Sequence, residues 1–423
     1  MQLYPHQTEA LDLIRDKNKC AVYYDMGLGK TFIGSEKMKE IGAKINLVIC
    51  QKSKVDDWVK HFAAYYHYKI FDLTKPRQLS DFLGMAQGER FNIIGIINYD
   101  LVWRREDLLH LSGFTLLLDE SSLITNRTAN RSKFILMLSP ANVILLSGTP
   151  TAGRYEKLWS QLQLLGWNID EETYFKSYVD YEWIETEDGF WEKKIKGYKN
   201  VDHLKRRLAK FGAIFKKTNE VINLPNQIEQ MIYVKPSKEY KFFKENHYLE
   251  IDGKELIGDT VLTRILHERE LCGQYSQDKL KAFQDLVEST EDRLIVFYNF
   301  NNELDQLRSI VNDLNRPHGA VNGSQKNLAP YEDYDNSVTF VQYQAGAYGL
   351  NLQKANKIIY FSLPLGLGSC DLWEQSKKRI HRIGQNKTCF YYYMLVSDSI
   401  EIWNLELLKT GKELTDDLFK EAI

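Results

Sequence analysis

A glycine-rich turn followed by lysine and threonine is the feature of this sequence whose chemistry is easiest to infer. It occupies residues 26–31 (MGLGKT), after an apolar run at 20–24 and before a helix-compatible run at 32–39. Glycines at a strand-to-helix turn let backbone N–H groups approach phosphate oxygens. In such a loop Lys30 bridges the β- and γ-phosphates, and the Thr31 hydroxyl holds Mg²⁺. A turn that merely packs a helix on a strand is the alternative, but the Lys-Thr pair favours a nucleoside triphosphate site.

Two adjacent carboxylates follow another apolar run, at residues 115–118. As the end of a buried parallel strand, this position lies at the sheet edge where ligands bind. There Asp119 could hold Mg²⁺, usually through water, while Glu120 orients and deprotonates the attacking water. An acidic strand end that caps the next helix is the alternative. The Lys30 loop upstream favours nucleotide hydrolysis.

Small hydroxyl residues and a glycine follow the next apolar run, at residues 147–151. They are compatible with a simple turn and helix N-cap. They are equally compatible with a sensor of the γ-phosphate that relays its presence to a polymer groove. These residues alone do not distinguish the two interpretations.

Two arginines stand out in the basic run at residues 375–385. Arg379 and Arg382 are three apart, so on a helix they share one face. A solvated basic helix is one interpretation. The other is a pair of arginine fingers that neutralise the transferring γ-phosphoryl group, worth roughly 10³–10⁵ in rate. Fingers supplied by a second domain would make hydrolysis depend on domain closure and so convert turnover into motion.

Strand-sized apolar runs alternate with helical patterns in two blocks, which predicts buried parallel sheets. The runs are 20–24, 46–50, 93–97, 115–118 and 143–146, then 294–298, 338–342, 357–361 and 390–395. The aromatic and charged stretch at 178–199 has no clear period. Pro225 indicates a boundary after it, because proline interrupts a helix or strand. We therefore predict two α/β domains, residues 1–224 and 225–423.

Composition restricts the class of protein. Hydrophobic residues make up 43% and charged residues 26%, typical of a globular chain, and the net charge of −2 requires any nucleic-acid contact to come from local basic patches. The five cysteines include no C-x-x-C pair, which argues against a disulfide framework or a cysteine zinc site. The N-terminus lacks signal-peptide regions, and no apolar run is long enough for a membrane. We expect a cytoplasmic protein, of a bacterial cell or a virus-infected host.

Taken in order, these segments resemble the motifs of superfamily-two helicase-like ATPases, and within them the Swi/Snf-type DNA translocases. The matching segments are residues 3–7 (glutamine motif), 25–31 (motif I), 48–53 with Trp58 (Ia), 119–120 (II), 147–151 (III), 295–300 (IV), 345–352 (V) and 375–385 (VI). The run at residues 379–385 (RIHRIGQ) is among the more specific of them. Ser122 and Gln51 depart from the family pattern, which has histidine and proline there.

The resemblance implies a fold and a set of site residues. The fold is α/β, with two RecA-like parallel-sheet domains, ATP in the cleft between them and duplex DNA across both. Catalysis with ATP and Mg²⁺ falls to Lys30, Asp119, Glu120, Arg379 and Arg382, with Thr31 and Asp119 as metal ligands. The nucleotide is held by Gln7, Gly27, Leu28, Gly29, Lys30, Thr31, Gly349 and Gln375. Nucleic acid contacts Lys52, Ser147, Thr149, Gln344 and Gly346.

Three functions remain open from the sequence. The favoured one is ATP-driven translocation along double-stranded DNA by a minimal bacterial or viral form, binding without sequence preference. A strand-separating DNA or RNA helicase is the second, with a small pin within residues 178–199. A nucleotide-gated nucleic-acid-binding scaffold is the third, disfavoured because the chain keeps Lys30, Glu120 and both arginines. We expect a monomer, with an unidentified nuclease or loading protein as a possible partner.

Overall fold

The chain is described here from a computed structural model, which covers residues 3–418 except 89–91, 152, 186–190, 222–223, 344–349, 367 and 383. Contacts between Cα atoms divide it into two compact units. The first comprises Met1–Asn223 with Glu413–Ile423, and the second comprises Leu224–Lys412. Each unit is built around its own parallel sheet.

Seven parallel strands form the main sheet of the first unit. They are β1 Lys19–Tyr24, β2 Ile45–Cys50, β3 Lys69–Asp72, β4 Ile93–Asn98, β5 Thr115–Asp119, β6 Asn142–Leu146 and, after a hairpin that carries β7 and β8, β9 Ala213–Lys216. Their order across the sheet is β3-β4-β2-β5-β6-β1-β9. Every residue of β2 and β4 is buried, which explains why these strands read as continuous apolar runs.

Helices cover the strands of this sheet. They are α1 Pro5–Leu13, α2 Lys30–Ile41, α3 Val55–Tyr65, α4 Pro76–Ala86, α5 Tyr99–Val102, α6 Asn130–Met137, α7 Trp159–Leu164, α8 Glu171–Tyr178 and α9 Val201–Lys210. Buried aliphatic and aromatic side chains on the two faces of the sheet form two clusters, one around Leu47 and Leu116 and the other around Val48 and Leu117. The sheet is therefore the centre of one layered α/β core.

The stretch at residues 178–199, which showed no period in the sequence, contains an antiparallel hairpin of β7 Val179–Glu185 and β8 Trp191–Tyr198. Trp183 and Trp191 are 55% and 63% exposed. Strands with solvent on both sides cannot show the apolar alternation of a half-buried strand, which explains the missing signal.

Six parallel strands form the sheet of the second unit. They are β10 Gln227–Val234, then β13 Leu294–Tyr298, β14 His318–Val321, β15 Val338–Gln342, β16 Lys357–Tyr360 and β17 Cys389–Val396, with the antiparallel pair β11 Tyr248–Ile251 and β12 Lys254–Ile257 apart from them. The sheet order is β10-β17-β16-β13-β15-β14. The helices are α10 Lys238–Asn246, α11 Val261–Gly273, α12 Gln277–Glu288, α13 Asn301–Asp313, α14 Ala329–Asp333, α15 Ser369–Lys377 and α16 Ile400–Leu418, of which the part up to Lys412 belongs to this unit.

The fold class and all nine predicted strands are confirmed, with ends that differ by one residue at most. Four strands of the main sheets were not predicted: β3, β9, β10 and β14. All four are the outermost strands of their sheets. Three of them, β3, β9 and β10, are covered less completely and lack the uninterrupted apolar run that identified the inner strands, whereas β14 is mostly buried but spans only four residues, two of them histidine and glycine.

Among the described residues, no helix combines the length and the apolar character that a membrane crossing requires.

The close packing of α4 against β4 gives a stability prediction. A Cβ added to Gly95 would lie 2.6 Å from Leu73 Cδ1 and 3.2 Å from Phe82 Cε2, both buried. We expect Gly95→Ala to lower the free energy of unfolding by about 1–3 kcal/mol, as overpacking does. Gly84, in α4, has nothing within 4 Å of an added Cβ, so Gly84→Ala should instead stabilise by about 0.5–1 kcal/mol. Urea unfolding of the two variants checks this; a Gly95→Ala protein as stable as the parent would contradict it.

Candidate functional site

The loop between β1 and α2 has the conformation that the sequence predicted for a phosphate loop. Gly27 and Gly29 have φ angles of 87° and 72°, in the left-handed region that favours glycine. Gly29 is the N-cap of α2, and as a glycine it has no side chain to accept a hydrogen bond from the first-turn N–H groups. The helix therefore begins at Lys30 with its amide dipoles directed at the loop, which favours an anion there.

Lys30 is held by the loop itself. Its ammonium donates to the Tyr24 carbonyl oxygen at 2.7 Å and to the Asp25 carbonyl oxygen at 3.2 Å. The loop is anchored in turn, because Asp25 Oδ2 accepts hydrogen bonds from the Thr218 amide and hydroxyl, both at 3.1 Å. A positive charge is thus fixed next to the amides of the α2 N-terminus.

Helix α1 docks on the same loop through two side chains. Gln7 Nε2 donates to the Gly29 carbonyl oxygen at 3.2 Å, and Gln7 Oε1 accepts from the Tyr4 amide at 2.9 Å. His6 Nε2 hydrogen-bonds the Leu28 carbonyl oxygen at 3.0 Å. A Cβ on Gly29 would lie 2.1 Å from Gln7 Nε2, so only glycine permits this approach. Gln7 therefore lies against the loop after β1, and its role in holding the nucleotide stays a prediction.

Asp119 ends β5 and is oriented by an indole. Trp58 Nε1, from α3, donates to Asp119 Oδ2 at 2.8 Å. Burial raises the pKa of the Asp119 carboxyl, while the Trp58 hydrogen bond and the charges of Lys30 and Lys54 act in the opposite direction. A carboxylate with one oxygen fixed by a neutral donor is a typical arrangement for a metal ligand.

Glu120 has a backbone conformation that glutamate rarely adopts. Its φ and ψ are 59° and 62°, in the left-handed region, at a cost on the order of 1–3 kcal/mol. The Tyr99 hydroxyl lies 3.1 Å from the Asp119 carbonyl oxygen and 3.4 Å from that of Glu120. The Ser147 hydroxyl donates to Glu120 Oε2 at 3.4 Å. This turn directs the Glu120 carboxylate toward the segment at residues 147–151.

A buried amide joins three of these elements. Gln161 Oε1 accepts from the Tyr23 hydroxyl at 2.9 Å and from the Ser121 hydroxyl at 2.7 Å. Its Nε2 donates to the Pro150 carbonyl oxygen at 2.6 Å. Gln161 is fully buried in α7. It therefore connects β1, the turn after Asp119-Glu120 and the 147–151 segment through one side chain.

The predicted nucleic-acid contacts of the first unit differ in exposure. Lys52 is exposed and begins a 3₁₀ helix, Lys52–Lys54, just after β2. Ser147 is buried, and its hydroxyl accepts a hydrogen bond from the Thr149 amide at 3.1 Å. Thr149 Oγ1 is buried and finds no hydrogen-bond partner within the described part of the chain. Ser147 and Thr149 follow β6, beside the loop after β1.

In the second unit, the prediction that Arg379 and Arg382 share a helix face is wrong. Helix α15 ends at Lys377, and both arginines lie in the turns that follow. Tertiary hydrogen bonds replace the helix: Arg379 Nη1 donates to the Leu350 carbonyl oxygen at 3.2 Å, and Arg382 Nη1 donates to Asn351 Oδ1. Both arginines therefore support the segment at residues 350–352.

The remaining predicted residues of the second unit are only partly described. Gln375 is buried in α15, and its Oε1 has no hydrogen-bond partner in the described ranges. Gln344, Gly346 and Gly349 lie outside the described residues.

A buried carboxylate fixes the ends of β13 and β16 in this unit. Glu303 Oε2 accepts from the Asn299 amide at 2.9 Å, the Phe300 amide at 3.1 Å and the Ser362 hydroxyl at 2.8 Å. Burial raises the pKa of the Glu303 carboxyl. Asn299 Nδ2 donates to Ser362 Oγ at 2.9 Å, which joins the two strand ends again.

Three supporting roles were not predicted from the sequence: those of Trp58, Tyr99 and Gln161. Their partners Asp119, Glu120 and Ser121 lie between 20 and 61 residues away along the chain. No local pattern encodes such pairs, although the position of Trp58 in motif Ia marked it as a residue of interest.

Comparisons with known proteins place these features in a family. A family model described as "SNF2-related domain" matches residues 6–277. The SWI/SNF-related matrix-associated actin-dependent regulator of chromatin subfamily A-like protein 1 of Xenopus laevis is 23% identical, over 94% of this chain and 42% of the relative. The human DNA annealing helicase and endonuclease ZRANB3 is 23% identical, over 98% of this chain and 40% of the relative.

A solved structure, the Sulfolobus solfataricus SWI2/SNF2 ATPase core in complex with dsDNA, is 19% identical with a TM-score of 0.46, covering 100% of this chain and 94% of that one. The chain spans less than half the length of the Xenopus and human relatives. Because the family model matches more than half of its residues, the chain belongs to the SNF2-related domain family.

Proposed function

We propose that the protein hydrolyses ATP with Mg²⁺ and uses the energy to translocate along double-stranded DNA. One observation carries this: the phosphate loop, the Asp119-Glu120 turn and the 147–151 segment follow three adjacent parallel strands, β1, β5 and β6. The carboxyl edge of such a sheet is where open α/β folds bind ligands. The family is one of ATPases, which supports ATP as the nucleotide.

The phosphate-binding step falls to the α2 N-terminus. The amides of Gly27, Leu28 and Gly29 and the first turn of α2 supply donors, while Lys30 exchanges the carbonyls of Tyr24 and Asp25 for phosphate oxygens. Gln7, bound to the Gly29 carbonyl, would transmit adenine recognition to this loop. The donor set fits a magnesium ion bound mainly by substrate phosphates, because Mg²⁺ in such sites takes only one or two protein oxygens. Thr31 and Asp119 would provide them, and the bound ion would neutralise phosphate charge.

The hydrolytic step falls to Glu120. Its carboxylate would orient and deprotonate the attacking water, in the position that the left-handed backbone gives it. Because Ser147 donates a hydrogen bond to Glu120, a ligand bound by the 147–151 segment would change the position of the Glu120 carboxylate. Arg379 and Arg382 would stabilise charge on the γ-phosphoryl group, with Gln375 and Gly349 as further nucleotide contacts. Both arginines now bond the 350–352 segment, so they would have to exchange those partners.

The nucleic-acid contacts would be made by Lys52, Ser147, Thr149, Gln344 and Gly346. Hydroxyls, amides and one lysine hold phosphates without reading bases, so binding would be independent of sequence and weakened by salt. The relative named as a DNA annealing helicase supports DNA as the polymer. The exposed tryptophans of the β7–β8 hairpin favour strand separation as the second candidate function, because unpaired bases stack on aromatic rings.

Steady-state ATP hydrolysis with duplex DNA, single-stranded DNA or RNA tests the proposal. We expect duplex DNA to stimulate turnover most and Lys30→Ala to abolish it. Glu120→Gln should retain ATP binding but lose about 10²–10⁴ in kcat, since it lacks the base. Glu106→Gln, which removes an exposed carboxylate of the same unit, is the matched control and should behave like the parent. Greater stimulation by a single strand would promote the helicase; normal turnover by Glu120→Gln would refute the base assignment.

The indole that orients Asp119 gives a second prediction. Trp58→Phe keeps an aromatic ring but removes the donor, so the Mg²⁺ concentration for half-maximal ATP hydrolysis should rise about 10–100-fold. Trp159→Phe is the matched control, because that indole donates to the Ile169 carbonyl oxygen instead. The measurement is a Mg²⁺ titration of turnover at saturating ATP. An unchanged Mg²⁺ requirement in Trp58→Phe would show that Asp119 is not a metal ligand or does not need this donor.

A further inference from the structure

A cavity of about 390 Å³ in the second unit is lined by three lysines that the motifs do not include. Lys235 follows β10, and Lys241 and Lys244 are one turn apart on α10. Tyr240, Glu245 and Asp398 also line it. All of these residues are described, and all belong to one unit.

The lysine charges are only partly balanced by the carboxylates that line the cavity. Within the part of the chain that the structure describes, none of the three forms an ion pair, although lysines elsewhere in the unit do, such as Lys357 with Asp292 at 2.7 Å. The Lys244 ammonium donates to the Asp398 carbonyl oxygen at 3.1 Å, a main-chain contact that does not pair it with the Asp398 carboxylate. Lys235, Lys241 and Lys244 are exposed, so their ammonium groups remain accessible from solvent. The lysines outnumber the lining carboxylates three to two.

The floor of the cavity is held rigidly. The Tyr240 hydroxyl donates to Glu268 Oε2 at 2.8 Å and accepts from the Ile400 amide at 3.1 Å. The Ser397 amide donates to the Val234 carbonyl oxygen at 2.9 Å, which continues the β10–β17 pairing into the cavity. A preorganised backbone lowers the entropic cost of holding a ligand there.

Its place in the sheet indicates what the cavity binds. It lies where two adjacent parallel strands, β10 and β17, end, at the same sheet edge as the Asn299–Ser362–Glu303 network. That edge is the ligand-binding side of an open α/β sheet. Lysine ammonium groups without a guanidinium fork hold phosphates as point charges and read no base. Three of them around one cavity suit neighbouring phosphates of a chain better than a single small anion.

We propose that this cavity holds backbone phosphates of duplex DNA, in addition to the contacts assigned above. The proposal rests on the proposed DNA-dependent function. It implies that the track of the DNA over the second unit continues to its outermost strand, β10. It also implies that neighbouring side chains have opposite effects on DNA binding: the three lysines attract the duplex, and Glu245 repels it.

The test is the salt dependence of binding, measured by fluorescence anisotropy with a labelled duplex of mixed sequence and no nucleotide. Each phosphate contact contributes about 0.9 to the slope of log affinity against log salt, so Lys235→Gln/Lys241→Gln/Lys244→Gln should flatten it by about 2.7. Glu245→Gln should tighten binding. The control Lys176→Gln/Lys254→Gln/Lys281→Gln removes three exposed lysines outside the cavity and should leave the slope as in the parent. Thermal melting and DNA-independent ATP hydrolysis verify the fold of each variant.

The outcomes separate the two proposals. A parent protein that binds duplex DNA, with an unchanged slope in the cavity variant, overturns the cavity assignment and leaves the motor intact. Equal flattening by the control also overturns it, because general charge would then explain the loss. A parent that binds no DNA refutes the proposed function, and the cavity assignment with it. Weaker binding of Glu245→Gln would show that the cavity matters through its structure and not through its charge.

Discussion

Parallel hydrogen bonding among β5, β6 and β1 determines which loops of this protein meet, because adjacent parallel strands end at the same edge of a sheet. Three segments far apart in the chain are thereby brought together: the loop after β1, the carboxylates after β5 and the hydroxyl-rich segment after β6. A register shift by one residue would turn every side chain of a strand toward the opposite face of the sheet and move its terminal residue. The apolar runs that specify this pairing therefore also specify the site.

The shared sheet edge brings the loops together but does not orient their side chains. Buried polar groups orient them. The side-chain amide of Gln161 forms hydrogen bonds with Tyr23, Ser121 and Pro150. Removing this side chain would leave three buried polar groups without a hydrogen bond, which destabilises the fold by about 1–3 kcal/mol for each group. The left-handed backbone at Glu120 costs energy, and such strain persists only where the surroundings determine it. The side chains that fix the site thus hold a conformation that the chain alone would not adopt.

The sequence predicted the inner strands and the glycine turn after β1 because both have local causes. Continuous apolar runs reflect burial on two faces, and Gly27 and Gly29 reflect positive φ angles. The outer strand β10 could not be predicted from an apolar run, because it is half exposed. The prediction that Arg379 and Arg382 share a helix face was wrong. The spacing of two arginines cannot show that oxygen atoms near Leu350 bind their guanidinium groups. Contacts such as Trp58 with Asp119 could not be predicted, since nothing along the chain relates residues 61 positions apart.

At the end of α15, the contacts of one buried charged residue influence where the charged residues that follow it lie. Lys377, the last residue of the helix, is buried, with its ammonium 2.7 Å from Glu229 Oε1 on β10 and 3.6 Å from the centre of the Trp373 ring. Burial lowers the pKa of Lys377, and the carboxylates of Glu374 and Glu229 act against that shift, so the charged form depends on both partners. Removing Glu229 would leave the buried ammonium with the more distant Glu374 carboxylate, at 3.6 Å. The position of the Arg379 and Arg382 turns therefore depends on β10, the strand that also leads into the lysine-lined cavity.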